Sequence, residues 1–285
     1  MPEGDVVWRT ADRLHRALSG RVLTGCDLRW PSLATVDLSG RTVREVVARG
    51  KHVLLRVDGE PPLTLHSHLR MEGSWHVHRT GQRWGSARTA HEVRAVLANA
   101  EWTAVGHRLG MLDLVPTADE AQLVGHLGPD VLGPDWDAQV VLATLRSLPD
   151  RVIGDALLDQ RVLAGVGTMF MAEALFVRGV SPWTPVRDVA DPEALLAVVH
   201  RLLDANRERV DQITTGDARP GRDKWVHGRS GRPCRRCGTT VRVAPIGRAP
   251  HDRSAFYCPH CQPGPTPTDD RRRQRPLGSS RRPRP

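Results

Sequence analysis

The spacing of apolar residues predicts a helix and then a series of strands in the first half of the chain. Residues 5–18 place an apolar side chain on one face every three or four positions, which predicts an amphipathic helix that stops at Gly20. Short alternating segments separated by Gly, Pro, Asp and Ser follow, and these are typical of a β-sandwich or barrel. The predicted strands span residues 22–28, 43–48, 52–57, 63–66, 75–78, 93–97, 101–105 and 112–115.

The pattern becomes helical after residues 127–135, which contain two Gly-Pro-Asp turns and predict a domain boundary. Longer periodic segments there predict helices at 136–147, 152–160, 168–178 and 191–214. A Gly- and Arg-rich connection follows at 216–232. Residues 263–285 hold six Pro and seven Arg and have no Val, Ile or aromatic residue, which predicts a disordered tail.

Length and charge narrow the class of protein. A chain of 285 residues suits two domains with real cores. No apolar run approaches the length of a membrane span and the start lacks a signal peptide, so we expect a cytoplasmic protein. The net charge of +9 is uneven, because residues 219–262 carry ten basic against two acidic side chains and the tail carries seven against two. This basic C-terminal third predicts a polyanion as partner.

The first residues suggest a reactive amine. Removal of Met1 would leave Pro2 with a free α-amine, whose pKa lies near 8 rather than near the lysine value of about 10.4. Such an amine is a usable nucleophile toward a carbon that can become an iminium ion. The adjacent Glu3 supplies a carboxyl group that can act as general acid. The alternative is that Pro-Glu merely opens the following helix.

Four cysteines form a metal-binding pattern. Cys234 and Cys237 make one CxxC pair, and Cys258 and Cys261 make a second pair twenty residues later. Two such pairs can present four thiolates to one tetrahedral ion, and a site filled by four cysteines is structural rather than catalytic. We therefore predict one structural Zn²⁺, with residues 241–245 and 255–257 paired as a hairpin between the cysteine pairs.

Several segments together resemble the formamidopyrimidine-DNA glycosylase/endonuclease VIII (Fpg/Nei) family of DNA repair enzymes over residues 1–262. The start, Pro2-Glu3-Gly4, is similar to the endonuclease VIII branch. Other family motifs follow in the family's order: Arg-Gly-Lys at 49–51, His-Leu-x-Met-x-Gly at 68–73, the helix–two-turn–helix motif at 158–173, Val-His-Gly-Arg at 226–229, and the zinc finger that contains Arg253.

The resemblance implies a fold and a reaction. The fold would be α+β, with an N-terminal β-sandwich flanked by helices and a C-terminal helix–two-turn–helix domain that carries a four-cysteine zinc finger. The enzyme would flip a damaged nucleotide out of the duplex, attack C1′ with the Pro2 amine, and cut the strand by β- and then δ-elimination. Glu3 would be the general acid, and Lys51 would hold phosphate and the region of the sugar oxygen.

The resemblance also implies DNA contacts. His68 would touch phosphate, Met71 would enter the gap left in the base stack, and Arg108 and Leu109 lie where the formamidopyrimidine branch fills that gap with Arg-Phe. Further contacts to the DNA backbone would come from Gly165, Gly167, Thr168 and Arg253. The bland alternatives are a surface role for Lys51, a structural role for His68 and a core position for Met71. Glu173 is interpreted as a structural residue rather than a catalyst.

Departures from the family pattern bear on these contacts. Thr168 replaces a family Asn, which changes any side-chain contact to phosphate there. Val6 replaces a family Glu, so a second N-terminal carboxylate role is in doubt. His107 and Leu109 replace Arg and Phe, which weakens any reading of the opposite base.

The resemblance finally suggests domains, substrate and partners. We expect an N-terminal catalytic domain (1–127), a linker (128–135), a helix–two-turn–helix domain (136–218), a zinc finger (219–262) and the tail (263–285). Residues 213–226 are short and lack the aromatic pair that caps 8-oxoguanine in the other branch, which favours oxidised pyrimidines. We expect a monomer that acts on damaged double-stranded DNA in the bacterial nucleoid, with single-stranded or bubble DNA also open. The alternatives are an 8-oxoguanine glycosylase of the same family and a non-catalytic DNA-binding zinc protein.

Overall fold

The computed structural model describes residues 2–85 and 90–267. The chain divides into two compact units, residues 1–133 and residues 134–285. The elements of the first unit are α1 (Gly4–Leu18), β1 (Gly25–Leu28), β2 (Val43–Arg49), β3 (His52–Val57), β4 (Leu63–His68), β5 (Ser74–Arg79), β6 (Val93–Ala98), β7 (Trp102–His107), β8 (Met111–Pro116) and α2 (Ala121–Val124).

The strands of the first unit form two four-stranded antiparallel sheets, with the orders β1-β6-β7-β5 and β2-β3-β4-β8. Burial alternates along β6, whereas β3, β4 and β7 each bury three or four consecutive residues. Apolar residues of both sheets join one core with one face of α1. On α1 the buried side chains include Val7, Leu14 and Leu18, which the helical period places on one stripe. The predicted β-sandwich is therefore confirmed.

The second unit is built around one buried helix. Its elements are α3 (Ala138–Arg146), α4 (Ile153–Leu158), α5 (Thr168–Arg178), α6 (Pro192–Asp204), β9 (Arg242–Ile246) and β10 (Arg253–Tyr257). All residues of α5 from Thr168 to Phe176 are buried, so other elements cover the helix on every side. A small apolar cluster packs the finger strands against α5, and the predicted hairpin is present as the antiparallel pair β9–β10.

One predicted helix is too long. The sequence predicts a helix over 191–214, whereas α6 ends at Asp204. The buried side chain of Asn206 donates to the carbonyls of Leu202 and Ile213 and accepts from the amide of Ile213 at 2.6 Å. An Asn side chain that bonds to nearby backbone in this way competes with helix continuation. The chain therefore turns back after α6 instead of extending it.

Two other boundaries concern the first predicted strand and the predicted tail. Only Gly25–Leu28 of the predicted strand 22–28 is a strand, while Val22 forms a single bridge with Thr42. In the predicted tail, residues 268–285 lie outside the described residues. At the beginning of the tail, the carbonyl of Pro265 accepts a hydrogen bond from the hydroxyl of Ser181.

Candidate functional site

Glu3 lies at the beginning of α1, where its side chain is enclosed by protein. The residue is extended, with φ −116°, and is fully buried. Its carbonyl accepts the amide of Val7 at 3.0 Å, which starts the helix. The positive end of the helix dipole stabilises a carboxylate at this position. The preceding Pro2 is half-buried. Pro2, which would carry the amine, and Glu3, which carries the carboxyl group, therefore lie at the same end of α1.

The two residues after the start of α1 differ in environment. Asp5 is fully buried, like Glu3. Val6 is half-buried and packs against the apolar core of the sandwich. The N-terminal carboxylates of the described chain are therefore Glu3 and Asp5, and position 6 contributes only packing.

Lys51 lies in the two-residue turn between β2 and β3. The first turn residue, Gly50, has φ 59°, which a tight hairpin turn requires and which glycine adopts without strain. The amide of Gly50 donates to Oδ2 of Asp130 at 2.6 Å. Asp130 is 3% exposed, and its Oδ1 accepts the amide of Leu132 at 3.1 Å. A buried carboxylate therefore anchors the turn that carries Lys51.

His68 ends β4 and lies within electrostatic reach of Lys51. Its Nδ1 accepts the backbone amide of Arg70 at 2.9 Å, so the neutral ring carries its proton on Nε2. Burial and then the charge of Lys51 lower the pKa of His68 to about 4, with smaller effects from His66 and Arg70. At neutral pH His68 is consequently an uncharged N–H donor beside a lysine.

Met71 projects from a closed loop. Its side chain is 63% exposed, whereas Leu69 in the same loop is fully buried. Arg70 between them has φ 51°, and the amide of Gly73 donates to the carbonyl of Leu69 at 2.9 Å. A Cβ on Gly73 would lie 2.4 Å from that carbonyl, so the closure requires glycine. The loop exposes an apolar side chain, and a core position for Met71 is excluded.

Arg108 and Leu109 have opposite environments. Arg108 has φ 47° and pairs with Glu72 at 3.2 Å and with Glu92. Leu109 is 3% exposed and belongs to the sandwich core. It fills the space left by the missing side chain of Gly106, where an added Cβ would lie 2.7 Å from the Leu109 Cδ1. In this conformation the Leu109 side chain does not face solvent.

The turn before α5 is held by Gln160. The side-chain amide of Gln160 donates to the carbonyls of Leu158 and Val166, both at 2.9 Å. Its Oε1 accepts the amide of Gly165 at 3.0 Å, and Gly165 has φ 101°. The Gly165 amide is therefore engaged inside the protein in this conformation.

Gly167 and Thr168 stand at the N-terminus of α5. Gly167 is the extended residue that precedes the helix, with φ −125°, and Thr168 is the first helical residue. The Thr168 side chain is 6% exposed, so this position presents mainly backbone at the end of an eleven-residue helix. Helix N-termini attract anions through their amides and dipole.

The four cysteines of the finger converge on one point. All four Sγ atoms lie within 4.8 Å of one another. The Cys234–Cys261 and Cys237–Cys258 Sγ distances are 3.9 and 3.5 Å. Tetrahedral zinc with Zn–S bonds of about 2.3 Å requires sulfur atoms about 3.8 Å apart, so the residues present fit this ion. Backbone amides also donate to sulfur, from Arg236 to Cys234 at 3.4 Å and from Cys261 to Cys258 at 3.5 Å.

Arg253 is positioned by the same hairpin. It is the first residue of β10, is exposed, and donates from Nη1 to the carbonyls of His251 and Asp252 at 2.9 and 3.2 Å.

The base of the finger is tied to the residues after α5 by Gln262. Its Oε1 accepts the amide of Cys258 at 2.9 Å, and its Nε2 donates to the carbonyl of Val180 at 2.8 Å.

Glu173 is a structural anchor in the middle of α5. Its fully buried carboxylate accepts the amides of Trp225, Val226 and His227, each at 2.8 Å, and the hydroxyl of Thr214. The carboxylate therefore fixes the connection between α6 and the finger. The structural interpretation of Glu173 fits this geometry, although its partners are too distant in sequence to be predicted.

Comparison with known families covers most of the chain. Residues 1–128 match the formamidopyrimidine-DNA glycosylase N-terminal domain, and residues 127–215 match the formamidopyrimidine-DNA glycosylase H2TH domain. A Streptomyces coelicolor protein named probable endonuclease 8 2 is 55% identical over 269 residues, which cover 94% of this chain and 96% of that protein. A Mycolicibacterium smegmatis protein named DNA-(apurinic or apyrimidinic site) lyase Nei2 is 44% identical over 92% of this chain and 99% of its own.

A solved structure shares the fold. The Lactococcus lactis formamidopyrimidine-DNA glycosylase, bound non-covalently to DNA that contains an abasic site, superposes with a TM-score of 0.73. The alignment covers 92% of this chain and all of that chain, at 21% sequence identity. At this identity the likeness concerns the fold alone.

Proposed function

Because the chain belongs to the formamidopyrimidine-DNA glycosylase/endonuclease VIII family, we propose that it removes oxidised bases from DNA and cuts the strand at the resulting abasic site. The observation that carries the proposal is the start of α1, where Pro2 directly precedes a buried Glu3. Two relatives are named probable endonuclease 8 2 and DNA-(apurinic or apyrimidinic site) lyase Nei2, and these names support strand cutting at an abasic site. The enzyme therefore belongs to base excision repair.

The reaction uses the Pro2 amine after removal of Met1. The nitrogen forms a bond to C1′ of the extruded nucleotide as the glycosidic bond breaks and the base leaves. The bond between C1′ and the ring oxygen then breaks, and the resulting iminium ion acidifies the proton at C2′. Loss of that proton expels the 3′-phosphate, and a second elimination expels the 5′-phosphate. Glu3, held at the same end of α1, gives a proton to the sugar ring oxygen as it leaves C1′.

Lys51 and His68 supply the polar surroundings of the sugar and phosphate. The turn geometry holds Lys51 at the end of the β2–β3 hairpin, where an ammonium group can pair with phosphate. The depressed pKa of His68, about 4, makes the ring a neutral donor to a phosphate oxygen. The positive charge beside the phosphate therefore comes from Lys51, whereas His68 contributes a directed, uncharged hydrogen bond.

Other contacts follow the shape of the DNA. The exposed Met71 enters the base stack where the nucleotide has left, and Arg108 approaches the opposite strand. The backbone at Gly167 and Thr168 and the guanidinium of Arg253 hold phosphates. Leu109 has no part in this proposal, because it is buried in the sandwich core.

We assign one structural Zn²⁺ to Cys234, Cys237, Cys258 and Cys261. The ion supplies cross-linking rather than chemistry, since four protein ligands leave no position for substrate. The spacing of the four sulfur atoms and the N–H donors to sulfur support zinc as the ion. The site fixes the turns that flank β9 and β10 and thereby the direction of Arg253.

Oxidised pyrimidines such as thymine glycol and dihydrouracil are the proposed substrates, together with abasic sites. The support is the short connection after α6, which lacks the aromatic pair expected of an 8-oxoguanine cap. Glu173 fixes the end of this connection to α5, leaving little length for a mobile cap.

Among the described residues no helix is long and apolar enough to cross a membrane. We place the enzyme on bacterial DNA as a monomer.

Borohydride trapping on abasic-site DNA tests the proposal. The protein with its natural N-terminus should form a covalent adduct, and mass spectrometry of the digested adduct should locate it on Pro2. Protein with one residue left ahead of Pro2 should not be trapped, whereas Lys224→Met, which removes the other lysine, should be trapped normally. An adduct on a lysine, or no adduct with any of these proteins, would contradict the proposal and favour a non-catalytic DNA binder.

A further inference from the structure

Three polar side chains form a hydrogen-bonded chain across the sheet β2-β3-β4-β8. Nδ1 of His66 lies 2.9 Å from Oδ2 of Asp113, and Nε2 of His66 lies 2.8 Å from Nδ1 of His52. The members come from β8, β4 and β3, which are neighbours in that order. Their sequence neighbours Val53 and Leu65 point into the sandwich core, so the chain lies on the opposite face of the sheet.

The carboxylate sets the direction of the donors. Ionised Asp113 can only accept, so His66 donates from Nδ1 and, as a neutral ring, accepts at Nε2. His52 must then donate from Nδ1 to His66. The His52 and His66 rings are also stacked, with centroids 5.0 Å apart. The position and the tautomer of His52 are thus determined by the carboxylate of Asp113, acting through His66.

His52 in turn touches the proposed DNA-contacting groups. It directly follows Lys51, and it pairs in register with His68 across β3 and β4. The His52 and His68 rings meet edge to face with centroids 4.9 Å apart, and the His126 ring centroid lies 6.5 Å from that of His52. His66 is 1% exposed, so the middle of the chain is shielded from water.

Lys51 consequently lies between two anchors. Gly50 on one side is bonded to the buried Asp130, and His52 on the other side is bonded through His66 to Asp113. The residue before the lysine is therefore tied to a carboxylate through its backbone amide, and the residue after it is tied to a second carboxylate through its side chain. Such surrounding contacts decide how accurately a functional side chain is held.

We propose that Asp113, His66 and His52 are positioning residues that hold Lys51 and the donor edge of His68 in the geometry that the reaction needs. The proposal rests on the function proposed above, since it assigns a purpose to groups around its lysine. None of the three residues needs to touch DNA. Their contribution is to remove alternative rotamers and tautomers from the edge of the sheet before DNA binds.

The first experiment compares substitutions on one strand. His66→Phe keeps a planar ring but breaks both hydrogen bonds, while His66→Gln can still donate to Asp113 and accept from His52. Thr64→Val is the matched control, because Thr64 is fully buried on the same face of β4 and loses only its bonds to Glu120 and Thr117. The single-turnover rate on abasic-site DNA at saturating enzyme, the DNA Kd and the Tm are measured for each protein.

His66→Phe should reduce the single-turnover rate by roughly 10- to 100-fold, because small misplacements of functional groups have effects of that size. His66→Gln should recover most of the rate, and Thr64→Val should stay near the wild-type rate. Asp113→Leu changes a half-exposed residue and should act in the same direction if His66→Phe fails to fold. Rates are compared at temperatures equally far below the Tm of each protein. If His66→Phe and Asp113→Leu then have the same single-turnover rate as Thr64→Val, the proposal is overturned.

Imidazole ¹⁵N NMR provides a readout that needs no activity. The wild-type protein should show the Nδ1–H tautomer for His52 and the Nε2–H tautomer for His68, and Asp113→Leu should release the His52 preference. Unchanged His52 signals in that variant would also overturn the proposal. If the wild-type protein forms no borohydride adduct, the proposed function fails, whereas the NMR result still decides whether the hydrogen-bonded chain exists.

Discussion

Asp130 accepts a 2.6 Å hydrogen bond from the amide of Gly50, so the turn that carries Lys51 is fastened by a carboxylate eighty residues away. Arg49, on the other side of Gly50, donates from Nη2 to the carbonyl of Gly128 at 3.1 Å. The hairpin and the last segment of the first unit therefore hold one another. A Gly-Pro-Asp sequence that resembles a simple turn serves as part of the site.

Asp130→Ala should lower the activity more than a surface change would. It leaves the buried amide of Gly50 without its acceptor, which costs about 1–3 kcal/mol of stability, and it loosens the turn of Lys51. Urea unfolding and single-turnover rates measure the two effects. Asp119→Ala, at an exposed carboxylate just before α2, is the control and should change neither. A variant as stable and as active as this control would contradict the anchoring role.

Glu3→Gln should impair base removal more than cutting at a pre-formed abasic site, because the ring opening that the general acid assists matters most in the glycosylase step. The loss on a damaged base should be about 100-fold or more. Rates on thymine glycol DNA and on abasic-site DNA are compared in single turnover. Asp12→Asn, on the outer side of α1, is the control. An equal loss on both substrates would contradict the assignment of Glu3.

Acid should destabilise the first unit through its histidines. The pKa of His52 is lowered to about 3, by burial first and then by His68, His66, His126 and Lys51, and that of His68 is lowered to about 4. The unfolded chain takes up these protons near pH 6.5. The part of the free energy of unfolding that depends on these two histidines is therefore complete above pH 6.5. It decreases as the pH falls toward 4, by up to about 1.4 kcal/mol per pH unit for each histidine.

The difference between wild type and His52→Gln isolates this effect, because other acid-sensitive parts of the protein cancel. The free energy of unfolding is measured by urea at pH 8, 6.5 and 5. The slope of the wild type between pH 6.5 and 5 should exceed that of the variant. Parallel curves would show that His52 keeps its ordinary pKa in the folded protein.

Glu173→Gln should destabilise the second unit. The amide NH₂ would face backbone N–H groups that now point at a carboxylate oxygen, and unsatisfied buried donors cost about 1–3 kcal/mol each. Calorimetry should show a large loss, whereas Glu193→Gln, at an exposed acid on α6, should show almost none. A loss below about 0.5 kcal/mol, the usual size of a surface change, would contradict the anchoring role.

Cys237→Ser should release the metal and weaken DNA binding while the sandwich stays folded. Elemental analysis should find one zinc per wild-type chain and much less in the variant. Hydrogen exchange should increase in β9 and β10 and remain unchanged in β3 and β4. Wild-type protein without zinc, or with its cysteines in disulfides, would contradict the assignment.

The sequence predicts repeating structure better than single contacts. The strand His52–Val57 has the predicted bounds, and α1 begins within one residue of its predicted start. The end of α6 was missed because Asn206 binds backbone on both sides of a turn, which no periodicity reveals. Hydrophobic patterns report burial along one element, whereas this contact depends on how two segments meet.

The candidate site shows the same division. The sequence identifies Pro2, Glu3 and Lys51 from their chemical types and their motifs. It does not identify Asp130, which anchors the turn of Lys51, or Asp113, which bonds to His66, because each is an ordinary acidic residue within its own segment. The buried position of Leu109 also depends on Gly106, whose missing side chain leaves room for it only in the folded sheet.

The carboxylate of Glu173 also limits how this protein can change over evolutionary time. It holds Thr214 and residues 225–227 against α5, so the finger is not a detachable module. A lineage that lost the acid at 173 would need new partners for three amides at once, a step that single substitutions rarely achieve. Positions 173 and 214 should accordingly vary together, and recombination that exchanges only the finger should seldom survive.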